Sequence, residues 1–226
     1  EPFVEVYRRR RGTGLVVSRE TIYFGFVLDR ERRPLRGAFP PELEGRARDA
    51  LAQALLEGET PHPSQNAIAR AVRQLDEYWR RSGGRLEAAS PERIRDEIRR
   101  QLDGVTSWES FLETRIRLDP ARLVPAGTRA ELDRLPSSAA VLGDTTSLRY
   151  DLENGTPVVR LALREKQARR LREAELPRTD RPLRFSVYRG RREVARAASL
   201  GELMAALQAL DERRARRRQS RRRRAT

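Results

Sequence analysis

The sequence predicts an α+β protein: a β-rich N-terminal segment, a helical middle, a small antiparallel sheet with flanking helices, and a disordered basic tail. Three observations carry this. Asn154-Gly155 stands between two alternating runs inside Ser147 to Leu163, and Asn-Gly suits a two-residue hairpin loop because both central positions of a type I′ turn take φ > 0. Residues 39–135 place apolar side chains three and four apart between helix start and stop signals. From Ala139 the period changes to two. The expected boundaries are 1–38 for the β-rich segment, 39–135 for the helical region, 136–210 for the sheet domain and 211–226 for the arginine-rich tail.

In chain order, Phe3 to Tyr7, Leu15 to Val17 and Thr21 to Leu28 are rich in β-formers, with a four-arginine run at Arg8 to Arg11 and a turn at Gly12-Thr13-Gly14. Tyr23-Phe24-Gly25-Phe26-Val27 is similar to part of an RNA-recognition-motif signature, with Phe24 and Phe26 on one face for base stacking. It lacks the leading basic-glycine pair and the βαββαβ setting, so a core strand is the favoured reading. A helix is expected from Pro41 to Glu57, ended by Gly58, and a second from Ser64 to Arg81, with Ile68, Val72, Leu75 and Trp79 on its buried face. Ser90-Pro91-Glu92 opens a third helix, Ser107-Trp108 a short fourth, and Thr128-x-x-Glu131 reads as a capping box. Trp79 and Trp108 are expected in the core. Further on come a basic helix over Arg164 to Glu173, a strand at Leu183 to Tyr188, and an amphipathic helix capped by Ser199-x-x-Glu202.

With a two-residue loop, Leu148, Tyr150 and Leu152 face Leu161, Val159 and Pro157, while Arg149 lies directly across from Arg160. Like charges in that position destabilise a strand pair. Either Asp151, diagonal to Arg160, or a bound phosphate offsets the repulsion. Arg184 alternates with Leu183, Phe185 and Val187, so one sheet face is expected to carry Arg149, Arg160 and Arg184 together.

Composition narrows the function. The 226 residues carry a net charge of +15. Residues 212–226 hold nine arginines and one glutamate, and the remainder is basic as well, which points to a polyanionic partner, RNA or DNA. Lys166 is the sole lysine, a bias that carries no information on recognition. Absent cysteine excludes disulfides and thiolate metal sites and fits the cytoplasm. His62, the one histidine, sits between Pro61 and Pro63 in an expected turn, and histidine-based catalysis and metal sites are disfavoured. No apolar run reaches membrane-span length. The chain starts at Glu1 and has one methionine, Met204, so a piece of a longer protein, or a processed one, is expected. Gly12-x-Gly14 is no dinucleotide fingerprint, and neither a phosphate loop nor an Asp-Glu-x-His motif occurs. The isolated chain is expected not to hydrolyse ATP.

Three blocks resemble the C-terminal accessory region of bacterial DEAH-box RNA helicases of the HrpA-like type. They are Arg9-Arg10-Arg11 with Leu15 to Val17, Glu20 to Tyr23, Phe26 and Asp29-Arg30; Leu75 to Arg81; and Leu148 to Tyr150 with the hairpin through Leu163. The spacer over residues 31–74 is longer than in that pattern, and the arginine tail is extra. The resemblance implies a place beside an ATP-dependent RNA helicase motor core in the same parent chain. It implies no cofactor in this chain, ATP and magnesium belonging to a preceding motor.

The expected function is therefore a non-catalytic accessory region that holds or guides a nucleic-acid strand, RNA by the resemblance, through phosphate contacts. The expected contacts are Arg149, Arg160, Arg184 and Arg189 on the sheet, Lys166, Arg169, Arg170 and Arg172 on the basic helix, and Arg216, Arg217, Arg218, Arg221, Arg222 and Arg223 in the tail. The alternative is a protein-interaction domain whose tail docks an acidic or ribonucleoprotein partner. A nuclease using Asp29 with Glu31, or Asp49 with Glu57, matches no metal-ligand spacing.

Overall fold

The computed structural model describes residues 2–9, 12–24 and 26–224, with side chains at all of these except 2, 3, 5–9, 12, 13, 22 and 217–224. Among the described residues, no helix is long and apolar enough to cross a membrane. The chain forms two compact units, residues 1–79 with 86–126 and residues 80–85 with 127–226. The class is α+β.

The first unit opens with an antiparallel sheet of β1 (Pro2–Arg9), β2 (Gly12–Tyr23) and β3 (Phe26–Pro34) in that order. The expected single strand over Thr21 to Leu28 is split in two, because the chain reverses after Tyr23 and Tyr23 pairs with Phe26. Phe24 takes φ 46° to make the reversal, an uncommon value for a bulky side chain. The expected core position of this stretch is therefore corrected: Tyr23, Phe24 and Phe26 are 63%, 84% and 74% exposed. Of the arginine run at residues 8–11, Arg10 and Arg11 lie outside the described residues.

The helices follow their apolar spacing. α1 (Glu44–Glu57) stops at Gly58 in the left-handed region, and α2 (Gln65–Arg81) buries Ile68, Ala71, Leu75 and Tyr78. The buried stripe runs through Ala71 and Tyr78, and the expected Val72 and Trp79, one position on from each, are half-buried at its margin. α3 (Pro91–Gln101) begins where Ser90 Oγ accepts the Arg93 N–H at 3.1 Å. α4 (Trp108–Glu113) and α5 (Pro120–Leu123) follow, and α6 (Ala126–Asp133) starts too early for Thr128 to cap it.

His62 is 3% exposed and ties the segment before α2 to the C-terminal end of α4. Its Nε2 lies 3.1 Å from the Phe111 carbonyl and 3.0 Å from that of Thr114, and its Nδ1 accepts the Ser64 N–H at 3.0 Å. This network assigns the proton to Nε2 and leaves Nδ1 bare. Burial holds the imidazole pKa below its ordinary 6.5, against the two carbonyl contacts, which raise it.

The second unit is a five-stranded sheet, β4 (Ser138–Val141), β5 (Asp144–Glu153), β6 (Thr156–Arg164), β7 (Leu183–Arg189) and β8 (Arg192–Ala197), in sequential order. The β5–β6 register matches the hairpin expectation residue for residue, with Leu148 on Leu161, Arg149 on Arg160 and Tyr150 on Val159. Asn154 and Gly155 take φ 51° and 78° at the turn. The expected purely antiparallel sheet is corrected, because β6 and β7 are parallel. A parallel pair needs a crossover, supplied by residues 165–182. Within it the basic helix is short: α7 (Glu165–Ala168) ends so that Leu171 turns into the core.

That core joins Tyr150, Leu161, Leu163, Phe185 and Val187 from the sheet to Leu203 and Leu207 of α8 (Leu200–Arg224). Ser199 Oγ accepts the Glu202 N–H at 3.2 Å at its start. The expected break at 211 is absent: α8 runs on to Arg224. Arginine is a good helix former, and propagation from a docked helix avoids the cost of a new nucleus. The C-terminal end of α2 belongs to this unit. Arg181 donates to the Arg80 carbonyl at 3.1 Å and to that of Arg81, covering orphan carbonyls of the helix.

Two outcomes are expected. Stability should fall as pH drops below about 6.5, because the unfolded chain then takes up the proton that folded His62 refuses; urea titrations between pH 7.5 and 5.5 should show this, and H62Q should flatten the trend. Gly155→Val should cost about 1–2 kcal/mol by forcing a branched side chain into the left-handed region, with hydrogen exchange placing the destabilisation in the second unit.

Candidate nucleic-acid interface

Charge is divided between the units. The first contains twenty basic and twenty acidic residues, the second 28 basic and 13 acidic. The whole net charge of +15 therefore belongs to residues 80–85 and 127–226.

Pairing across β5, β6 and β7 sets Arg149 beside Arg160 and Arg160 beside Arg184. β6 is central in the sheet, so Arg160 is only 7% exposed, and a charge there must be compensated. Glu153 does so. It accepts from Arg160 and, at 2.8 Å, from Arg184, while Asp151 stands 3.6 Å from Arg160 Nε. Burial raises the Glu153 pKa, but the two guanidiniums outweigh it and hold the carboxyl below the ordinary range. Asp151 also receives Arg80 at 3.1 Å. Carboxylates thus offset the like-charge pair. Arg149 is exposed and, among the described residues, forms no ion pair.

The unpaired cations converge elsewhere, at one end of the same sheet. Because β6 and β7 are parallel, their carboxyl ends, Arg164 and Arg189, emerge at the same edge. α7 begins there, the β7–β8 turn passes through Gly190, and α8 is tied in by Arg214 to Glu165 at 3.0 Å. Two clefts result. One, of about 770 Å³, is lined by Arg164, Lys166, Arg170, Tyr188 and Arg189, with Asp144 and Glu165. The other, of about 580 Å³, is lined by Arg189, Arg192, Arg213, Arg214 and Arg216, with Glu193. They share Arg189.

Glu165 organises this edge. It accepts from Arg169 at 2.8 Å, Arg189 at 2.7 Å and Arg214, and Arg169 also binds Asp211 through two nitrogens at 2.7 and 2.8 Å. The hydrogen bond from Arg169 lowers the Glu165 pKa most, burial opposes it, and Arg189 adds to the lowering. Asp211 and then Glu165 raise the Arg169 pKa in turn. Around this neutralised hub, Arg164, Lys166, Arg170, Arg192, Arg213 and Arg216 are exposed and form no ion pair among the described residues. Such a strip offers forked donors to phosphate oxygens.

The sequence-expected residues are thus sorted. Lys166, Arg170, Arg189 and Arg216 line the clefts, with Arg189 also bonded to Glu165. Arg172 is exposed without an ion pair, and Arg169 is held by two carboxylates. Arg160 and Arg184 are engaged by Glu153. The side chains of Arg217, Arg218, Arg221, Arg222 and Arg223 lie outside the described residues. Arg164 and Arg213 belong to the basic helix and the tail that the sequence marks as contacts; sequence reasoning left out Arg192, for which the Arg-Gly-Arg-Arg turn at 189–192 was the available signal. Of the nuclease candidates, Asp49 binds Arg99 at 2.6 Å and Glu31 binds Arg33. No cluster of three metal-ligating side chains occurs among the described residues.

No family model matches this chain, and no curated protein does. Among solved structures it is similar to the E. coli DExH-box NTPase HrpB, with 17% identity over 88% of this chain and 25% of that one, at a TM-score of 0.34. The chain thus spans about a quarter of that protein's length.

Glu153→Gln should destabilise the second unit by about 2 kcal/mol, the scale of charged hydrogen bonds removed from around a buried guanidinium, measurable in urea. Glu153 contributes its ion-pair stability above the ordinary carboxylate value of 4.5 and loses it as pH falls through its lower folded value. Acid unfolding below pH 4.5 should therefore be less steep in E153Q than in the wild type.

Proposed function

We propose that this chain is a non-catalytic, nucleic-acid-binding accessory region of an ATP-dependent helicase, and that it holds the strand through phosphate contacts. The observation that carries this reading is the confinement of the entire +15 charge to one unit, where unpaired cations line two adjoining clefts. An isolated catalytic group would need a few placed side chains; a strip of separate guanidiniums instead suits a repeating polyanion. RNA as the strand, the cytoplasm as the setting, and a motor core supplying ATP and magnesium chemistry rest on the three sequence blocks that resemble HrpA-like helicases. The sheet-face arginines serve the fold in this reading, with Arg149 as the member free for phosphate.

The test is the salt dependence of binding to a single-stranded oligonucleotide. Six neutralised phosphates should give a slope of log K on log salt near −4, at roughly 0.7 per phosphate. Replacing Arg164, Arg170, Arg192 and Arg213 by alanine should make that slope shallower by about 0.7 for each phosphate no longer neutralised. A slope unchanged in the fourfold variant means the strip is not the interface. Binding abolished by deleting residues 212–226 alone would transfer the function from the folded part of the unit to the arm.

A further inference from the structure

The described side chains leave one exposed apolar feature, and it belongs to the neutral unit. Tyr23, Phe24, Phe26, Val27 and Leu28 are all at least half exposed, and they crowd the β2–β3 turn. β1 pairs with β2 only as far as Arg19, so Glu20–Tyr23 and their β3 partners form a two-stranded ribbon among the described residues. A shift in register at Thr21/Ile22 breaks the regular ladder there, a feature that re-aims side chains. Tyr23 and Phe24 meet edge to face, with ring centroids 4.6 Å apart and planes at 87°. Phe24 holds its left-handed backbone while 84% exposed. No core packing compensates that strain, which marks the position for function.

We infer that this tip stacks on the bases of a single-stranded nucleic acid, so that the protein divides recognition into phosphate contacts from the second unit and base contacts from the first. Stacking on aromatic rings needs no net charge and tolerates any base, which suits a unit whose acidic and basic residues balance. Of the ribbon's charges, Arg30 is bound by Glu20, while Asp29 is exposed and forms no ion pair among the described residues; the clustered rings are the ribbon's distinctive surface. A protein partner is the weaker occupant, because a stable interface takes about 20–30 residues a side and this tip offers five large apolar ones. Tethering to a strand already held by phosphate contacts raises the effective concentration of bases at the tip. The inference rests on the nucleic-acid reading for that polyanion affinity, not for the stacking itself.

The experiment uses the full chain and a single-stranded RNA of about twelve nucleotides carrying 2-aminopurine. Wild-type protein should quench the probe. Y23S/F24S/F26S should abolish the quenching and weaken binding about 5- to 150-fold per base unstacked, leaving the salt slope unaltered. Phe26→Trp should retain quenching, which a merely misfolded tip would not. Equal affinity and quenching in the triple variant overturn the inference. So does self-association of the wild type that the triple variant loses while its RNA binding stays intact. Quenching with a zero salt slope keeps the stacking tip and overturns the phosphate strip; a steep slope without quenching does the reverse.

Discussion

The second unit depends on the compensation of one buried charge. Arg160 occupies the central strand of the sheet at 7% exposure, and neighbouring strands set Arg149 and Arg184 against it. Without an anion, three guanidiniums in register would oppose the pairing that the hydrophobic face demands. Glu153, at the end of the same hairpin, accepts from two of them. The Asn154-Gly155 turn, by fixing register, is what brings that carboxylate into reach. Electrostatics and turn chemistry are thus one constraint here, and the apolar face follows from it.

The same logic explains which arginines remain available. At the edge where β6 and β7 end, Glu165 and Asp211 engage Arg169, Arg189 and Arg214 and so anchor α8. Among the described residues, the cations around them form no ion pair. Ion pairs that build the scaffold and unpaired charges that face solvent are interleaved over a few residues. Arg169 and Arg170 are adjacent in sequence and differ in this respect.

Much of the fold could be read from local chemistry. The hairpin register, the Ser90 cap and the Gly58 stop are short-range features whose residues contain their own instructions. Three features could not. The parallel pairing of β6 and β7 is set by how residues 165–182 cross the sheet, and alternation reads the same for either direction. The exposure of Phe24 and Phe26 depends on a reversal that needs an unusual φ at Phe24, while β-propensity favoured an unbroken strand. The arm after residue 211 is helical because a packed helix precedes it, whereas composition speaks only to the isolated segment. For the interface, net sign was legible, but the division into scaffold and free arginines required carboxylates distant in sequence, such as Glu165 for Arg214.

The separation into a neutral and a basic unit has a practical consequence for optical work. Trp79, Trp108 and His62 all fall in the neutral unit, whereas Tyr150 and Tyr188 are in the basic one. Indole emission and the single imidazole resonance therefore follow one half of the molecule. Phenol signals come from both units, since Tyr23 and Tyr78 lie in the neutral one with the tryptophans. A melting curve recorded on indole emission alone takes its signal from residues of the unit that carries no net charge.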